Sequence, residues 1–137
     1  MKQFWINLPV KNIESSKKFF THLGFKFKDV PGNGPNSACM LVGEKEVVVM
    51  LFDEATFKGF TGKDAIIAAK SGEVLLSIDA ASKEELDEMV TKVIEAGGAS
   101  EHKPTEMTGW MYGCVFTDLD GHSWNILFMD MSKLPKG

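Results

Sequence analysis

Two stretches of this chain share one plan, and that repetition constrains the fold more than any other feature. In residues 38–53 the apolar run ACMLV leads into GEKE and resumes as VVVMLF, and near the chain end WMYGCVFT leads into DLDG and resumes as HSWNILFM. Apolar runs joined by short turn-forming segments predict β-hairpins. The steps from Cys39 to Met50 and from Cys114 to Asn125 are both 11 residues, so the hairpins are predicted to superpose without a gap.

The segment ahead of the first hairpin predicts a strand, a helix and a second strand. Residues 3–10 (QFWINLPV) alternate between apolar and other side chains as a strand does. Asn12 is a predicted N-cap for a helix of about 11 residues that stops at Gly24. Residues 25–30 follow as a short predicted strand.

The segment ahead of the second hairpin repeats this order. Residues 73–79 (EVLLSID) predict a strand, and Ser82 with Glu85 forms a predicted capping box at the start of an amphipathic helix. Residues 99–103 are predicted as a strand, and residues 104–109 as a loop. Each half of the chain therefore predicts the order strand, helix, strand, strand, strand.

This duplication predicts an α+β fold in which two βαβββ units form a curled mixed sheet around a cup, with the helices outside. The length of 137 residues suits a single domain, 1–137, with half-units at about 1–58 and 72–131. Residues 58–72 are the predicted connection between the halves, and within it residues 64–70 predict a short helix.

Composition excludes several classes of function. The formal charge is −4, the 15 basic residues are all Lys, and they are scattered along the chain. No basic track for nucleic acid is therefore expected. No window approaches the roughly 20 apolar residues of a membrane-spanning helix, so a soluble cytoplasmic protein without a membrane partner is expected. Two cysteines are too few for a disulfide framework.

The opening NLPVKNIESSKKFFTHLGF and the closing FTDLDGHSWNILFMD resemble the vicinal oxygen chelate superfamily, which contains glyoxalase I, bleomycin-resistance proteins and extradiol dioxygenases. An MYG stretch before the DLDGH turn is similar to the small bacterial glyoxalase-like branch. The resemblance covers essentially the whole chain. It implies paired βαβββ units, a homodimer, and up to four His, Glu or Gln metal ligands on the first and last strands of each half.

The positions that the resemblance implies for metal ligands are Trp5, Met50, Glu73 and Asn125 in this sequence. Of these, Glu73 alone is a conventional metal ligand. An open catalytic metal site needs about three protein donors, which an indole, a thioether and an amide do not supply. We therefore expect no metal and no cofactor.

The predicted ligand-binding residues combine an apolar wall with polar groups that orient a molecule: Trp5, Met50 and Leu127, together with Asn7, Glu73 and Asn125. Glu73 is also the candidate catalytic residue, because apolar neighbours would favour its protonated form and make it a proton-transfer group. The alternatives are a water-facing Glu73 at the start of a strand, an Asn125 that bridges other protein groups, and a Trp5 that fills the core.

Three hypotheses of function follow. The first is binding of a small apolar or aromatic organic molecule in the cup without the usual metal. The second is a lyase or isomerase of glyoxalase type that depends on a metal or on Glu73, and the third is a scaffold without chemistry. The absence of Arg argues against glutathione, phosphonate or coenzyme A as substrates, because their anions need firm cationic contacts.

Overall fold

The computed structural model describes residues 1–32, 34–64 and 72–134, and it divides the chain into two compact units, Met1–Ile67 and Ala68–Gly137. The division falls inside the predicted connection between the halves. The short helix predicted at residues 64–70 lies almost entirely outside the described residues.

The first unit contains one four-stranded sheet and two helices. Its elements are β1 (Ile6–Val10), α1 (Ile13–His22), β2 (Lys26–Lys28), β3 (Ser37–Val42), β4 (Val47–Asp53) and α2 (Glu54–Thr61). The strand order is β1-β4-β3-β2, with β1 parallel to β4 and the other neighbours antiparallel. A strand at the sheet edge tolerates Pro9, which donates no ladder hydrogen bond.

Helix α1 begins and ends as the sequence predicts. The Asn12 side chain accepts a hydrogen bond from the Ser15 N–H at 2.9 Å, and Gly24 follows the helix with φ at +97°. The buried side of α1 carries Ile13, Ser16, Phe19 and Phe20. These side chains cover one face of the first sheet, where Leu51 and Met40 are fully buried.

Helix α2 was not predicted. The Asp53 carboxylate accepts a hydrogen bond from the Thr56 N–H at 2.8 Å, and the Gly62 N–H donates to the Lys58 carbonyl at 2.7 Å in a left-handed C-cap. Asp53 had been assigned only to the end of the hairpin. The same residue ends β4 and caps α2, so no loop separates the strand from the helix.

The second unit repeats the sheet of the first. Its elements are β5 (Leu75–Asp79), α3 (Lys83–Glu95), β6 (Thr105–Met107), β7 (Met111–Thr117) and β8 (Ser123–Met129), followed by a 3₁₀ helix at Met131–Lys133. The strand order is β5-β8-β7-β6, with β5 parallel to β8 and the other neighbours antiparallel. The predicted α+β fold and the βαβββ order of each half are therefore confirmed.

Helix α3 has the predicted cap. Ser82 Oγ accepts a hydrogen bond from the Glu85 N–H at 3.0 Å, while the Glu85 carboxylate accepts from the Ala81 N–H. Leu86 and Val93 are fully buried against the sheet. None of the helices in residues 1–32, 34–64 and 72–134 is long and apolar enough to cross a membrane.

Two predictions about the second hairpin and its neighbour are wrong. The strand predicted at 99–103 lies at Thr105–Met107, and the predicted loop 104–109 contains it. Cys39 pairs with Met50 across the first hairpin, but Asn125 pairs with Val115 rather than with Cys114. The second turn has five residues where the first has four, so the hairpins superpose only after a shift of one residue.

The second sheet has one face covered by α3 and one that we call the open face. Phe116, Trp124 and Ile126 are fully buried on the covered face. Because side chains alternate along a strand, Val115, Asn125 and their neighbours point the other way. Val115 is 48% exposed there.

Candidate ligand-binding site

A cavity of about 530 Å³ lies against the open face of the second sheet, and all its lining residues belong to the second unit. Its floor is formed by β7, β8 and the turn between them, and its wall by β6 and the segment that precedes it. The floor residues are Gly113, Cys114, Val115, Phe116, Thr117, Gly121, Ser123 and Asn125. The Cys114 and Phe116 side chains lie on the covered face of β7, so these two residues border the cavity at the sheet edge. The wall residues are Ala99, Glu101, His102, Lys103, Thr105 and Met107.

The cavity lies where the chain between α3 and β6 separates from β7 at the edge of the second sheet. Ala99 bridges to Thr117, and pairing with β7 resumes only at Thr105 opposite Gly113. Residues 100–104, which we call the bulge segment, lie outside both ladders. The strand β6 itself pairs with β7 over three consecutive positions, as β2 does with β3 in the first unit.

Side chains hold the bulge segment against β7. Ser100 Oγ lies 2.9 Å from the His102 carbonyl oxygen, 3.0 Å from the Val115 carbonyl oxygen and 3.1 Å from Cys114 Sγ. Cys114 Sγ lies 3.2 Å from the His102 carbonyl oxygen. These contacts replace the backbone ladder that the bulge segment lacks.

Gly113, in the MYG stretch, permits close packing on the open face. A Cβ atom added there would lie 2.7 Å from Leu127 Cδ2 and 3.1 Å from Met107 Sδ. A glycine inside a strand often marks such a close approach. Leu127, one of the predicted ligand-binding residues, therefore lies directly over a position that lines the cavity.

Asn125 is the predicted site residue that the structure places in the cavity lining. It pairs with Ser77 of β5 and Val115 of β7, and its Nδ2 donates to Ser77 Oγ at 3.4 Å. The half-buried amide thus both faces the cavity and bonds to a protein group.

Glu73 lies ahead of β5, which begins at Leu75, and its side chain is exposed. It is not among the residues that line the cavity. The register places Ser77, rather than Glu73, beside Asn125. The catalytic role of Glu73 stays a prediction.

The remaining predicted residues belong to the first unit. Trp5 precedes β1 and is 50% exposed. Asn7 is exposed on β1 and pairs with the half-buried Met50 of β4. The equivalent neighbours in the two sheets are therefore Asn7 with Met50 and Ser77 with Asn125.

These side chains do not fit a divalent metal ion. Amide, hydroxyl and thioether groups provide no anionic or imidazole donor, and catalytic sites of this kind need about three. Within the parts of the chain that the structure describes, no three His, Cys, Asp or Glu side chains converge on one point.

The turn at the end of the cavity is built around a buried carboxylate. Asp118 Oδ1 accepts hydrogen bonds from the Asp120 and His122 N–H groups, both at 3.0 Å, and Oδ2 accepts from Trp124 Nε1 at 3.1 Å. Burial raises the pKa of Asp118 above its ordinary value, against the opposing effects of His122 and these hydrogen bonds. The sequence indicated the turn but not its bond to Trp124.

Tyr112, also in the MYG stretch, lies on the covered face and not at the cavity. Its hydroxyl donates to Asp87 Oδ1 of α3 at 2.5 Å, and that hydrogen bond raises the pKa of Tyr112 to about 12. Lys83 Nζ lies 5.3 Å from the centre of the tyrosine ring and pairs with Glu106. Tyr112 therefore connects β7 to α3.

Comparisons with known proteins match this architecture. The family model described as Glyoxalase/Bleomycin resistance protein/Dioxygenase superfamily matches residues 2–126. A hypothetical protein from S. aureus is 34% identical, with a TM-score of 0.82 and 93% of each chain covered. A glyoxalase-related enzyme from Fulvimarina pelagi is 19% identical, with a TM-score of 0.78 over 100% of this chain and 94% of the other. A search of curated proteins gave no match.

Proposed function

Because the chain belongs to the glyoxalase/bleomycin resistance protein/dioxygenase superfamily, we propose that it binds a small, mostly apolar or aromatic organic molecule without a metal ion. The binding site in this proposal is the cavity of the second unit. Its volume of about 530 Å³ supports the proposal, since pockets for small molecules commonly have about 300–1,000 Å³.

The surfaces of the cavity suit an apolar ligand with one or two polar groups. Val115 and Met107 are partly exposed and offer an apolar contact from the floor and the wall. Asn125 has two amide hydrogens and a carbonyl oxygen, of which one hydrogen is directed to Ser77 Oγ. The amide can therefore still bond to a ligand hydroxyl or carbonyl group.

Charges at the cavity favour a ligand of low net charge. Glu101 and Lys103 stand two residues apart on the wall and carry opposite charges. The sequence has no Arg, which is the side chain best suited to hold a carboxylate or phosphate through two hydrogen bonds. A phenol, an aromatic ketone or a similar neutral molecule fits this lining better than a polyanion.

Trp5, Asn7, Met50 and Glu73 do not line this cavity, and their roles as ligand contacts, like the homodimer, rest on the family resemblance alone. The resemblance on which those predictions rest is to proteins that commonly complete their binding sites between two chains. Sedimentation of the purified protein tests the assembly, and a monomer at all concentrations would contradict it.

Titration of ¹⁵N-labelled protein with 1-naphthol, a neutral aromatic alcohol, tests the cavity. We expect saturable amide shifts in residues 99–107 and 113–125. Val115→Lys places a long charged side chain on the floor and is expected to abolish these shifts. Val47→Lys is the matched control, because Val47 is a strand valine of the first unit with 45% exposure against 48% for Val115.

Dialysis against nickel, zinc, manganese and iron tests the metal-free part of the proposal. We expect no stoichiometric metal and no change in thermal midpoint. Bound metal that disappears in Glu73→Ala would contradict the proposal and support a glyoxalase-type lyase or isomerase. The absence of saturable binding by 1-naphthol, quinones and hydroxy acids would instead support a scaffold without chemistry.

A further inference from the structure

We propose that Ser100 and Cys114 are positioning residues that hold the bulge segment in the shape that forms the cavity wall. The inference rests on the proposed binding function and identifies what sets the geometry of that site. Ser100 does not line the cavity, and Cys114, which borders it, has its thiol directed to Ser100 and the His102 carbonyl. Both act through Glu101, His102 and Lys103, which line the cavity.

The contacts of the Ser100–Cys114 pair meet at one carbonyl group. The His102 oxygen lies 2.9 Å from Ser100 Oγ and 3.2 Å from Cys114 Sγ. Ser100 Oγ–H and Cys114 Sγ–H supply one hydrogen each, so Ser100 can donate to the Val115 carbonyl while Cys114 donates to the His102 carbonyl. The pair therefore connects the middle of the bulge segment to the centre of β7.

The first unit shows why side chains are needed at this place. The pairs Lys26–Leu41, Phe27–Met40 and Lys28–Cys39 keep β2 on β3 through backbone hydrogen bonds. In the second unit β6 also pairs with β7 at three positions, but residues 100–104 separate these pairs from the isolated bridge Ala99–Thr117. Backbone groups outside a ladder need other partners, and here the His102 carbonyl can accept from Cys114 Sγ and the Val115 carbonyl from Ser100 Oγ.

Loss of the pair should change the cavity more than it changes the fold. Ser100 is part-buried and Cys114 is 7% exposed, yet the bulge segment is flanked by the Ala99–Thr117 bridge and by the β6–β7 ladder, neither of which uses these side chains. Without the pair, residues 101–103 are released from one conformation. A ligand must then order them on binding, which lowers its affinity.

The test uses full-length Ser100→Ala, Cys114→Ala and Cys114→Ser, with Cys39→Ala as the matched control. Cys39 is a free, buried strand cysteine with 5% exposure, and it lies in the first unit. The measurements are 1-naphthol affinity, unfolding in urea and the amide signals of the bulge segment without ligand. If Cys114→Ala fails to fold, Ser100→Ala decides the test, because this substitution removes no buried apolar group.

We expect Ser100→Ala and Cys114→Ala to weaken 1-naphthol binding on the order of fivefold, as for loss of one hydrogen bond, and to shift the free amide signals of residues 100–104. Cys114→Ser keeps a donor near the His102 carbonyl and should restore most of the affinity. Cys39→Ala should lose stability without a change in affinity.

Two outcomes separate this inference from the proposed function. Unchanged affinity and unchanged amide signals in Ser100→Ala, in a protein whose wild type binds 1-naphthol, would overturn the positioning role alone. A wild type without saturable shifts at Val115 and Asn125 would contradict the proposed function. In that case the amide signals of residues 100–104 in the ligand-free wild type and Ser100→Ala still decide whether the pair orders the bulge segment.

Discussion

The indole Nε1 of Trp124 donates a hydrogen bond to the buried carboxylate of Asp118 at 3.1 Å. Trp124 is fully buried on β8, and Asp118 is the first residue of the turn that leads into that strand. The same carboxylate accepts two backbone N–H groups of the turn. One side chain therefore joins the turn, the strand and the core, and it does so beside the cavity residues Gly121 and Ser123.

Asp118→Asn is expected to lower the free energy of unfolding by about 1–3 kcal/mol, because Asn has one acceptor oxygen where the carboxylate has two, and its NH2 group would face an N–H donor in either orientation. Urea denaturation measures the loss. In a Trp124→Phe background, which lacks the indole donor, the same substitution should cost less. Equal costs in both backgrounds would show that the indole bond contributes nothing.

The stability of the wild type should depend on pH through Asp118. Its pKa in the folded protein is raised above the ordinary value of 3.8, mainly by burial. Between those two values the folded state binds more protons than the unfolded state, so the contribution of Asp118 to stability grows as the pH falls through the folded pKa. The stability difference between wild type and Asp118→Asn should therefore widen on acidification, as urea unfolding at several pH values would show.

Tyr112 offers a direct spectroscopic test, because the chain contains a single tyrosine. The absorbance of tyrosinate should appear with a midpoint near pH 12, since the hydrogen bond to Asp87 raises the pKa of Tyr112 to about 12. The stabilising effect is complete below the ordinary value of 10.0 and is lost as the pH rises through the folded value. Asp87→Asn should lower the midpoint, and an unchanged midpoint would exclude this bond as the cause.

Gly113→Ala is expected to destabilise the protein by about 1–3 kcal/mol through overpacking. The added methyl group would meet Leu127 Cδ2 at 2.7 Å and the Ile126 carbonyl oxygen at 3.1 Å. Leu127→Ala in the same chain should recover part of the loss. Gly34→Ala is the control, since nothing lies within 4 Å of its added Cβ, and a similar loss there would refute a packing effect.

Most of the fold could be predicted from the sequence because its signals are local. The caps Asn12 and Ser82 and the glycines after each helix fix the helix ends in both halves. Alternating apolar runs then indicate the strands. Helix α2 escaped prediction because Asp53 belongs to a strand and to a helix cap at once, and apolar alternation conceals the second role.

The site was harder to predict because it depends on register and on an irregular segment. One extra residue in the second turn places Asn125 opposite Val115, and no composition signal reveals that shift. The sequence predicts a strand at 99–103, which includes most of the bulge segment, because the order of the side chains does not show which backbone groups lie outside the ladder. The DLDG turn could be recognised, but the core partner of Asp118 lies six residues away on another element.

The bulge segment is also where the sequence can change during evolution with little loss of stability. Substitutions or insertions at residues 101–103 leave the ladders of β6 and β7 intact, because those residues take part in neither. New ligand preferences can therefore accumulate there without loss of foldability.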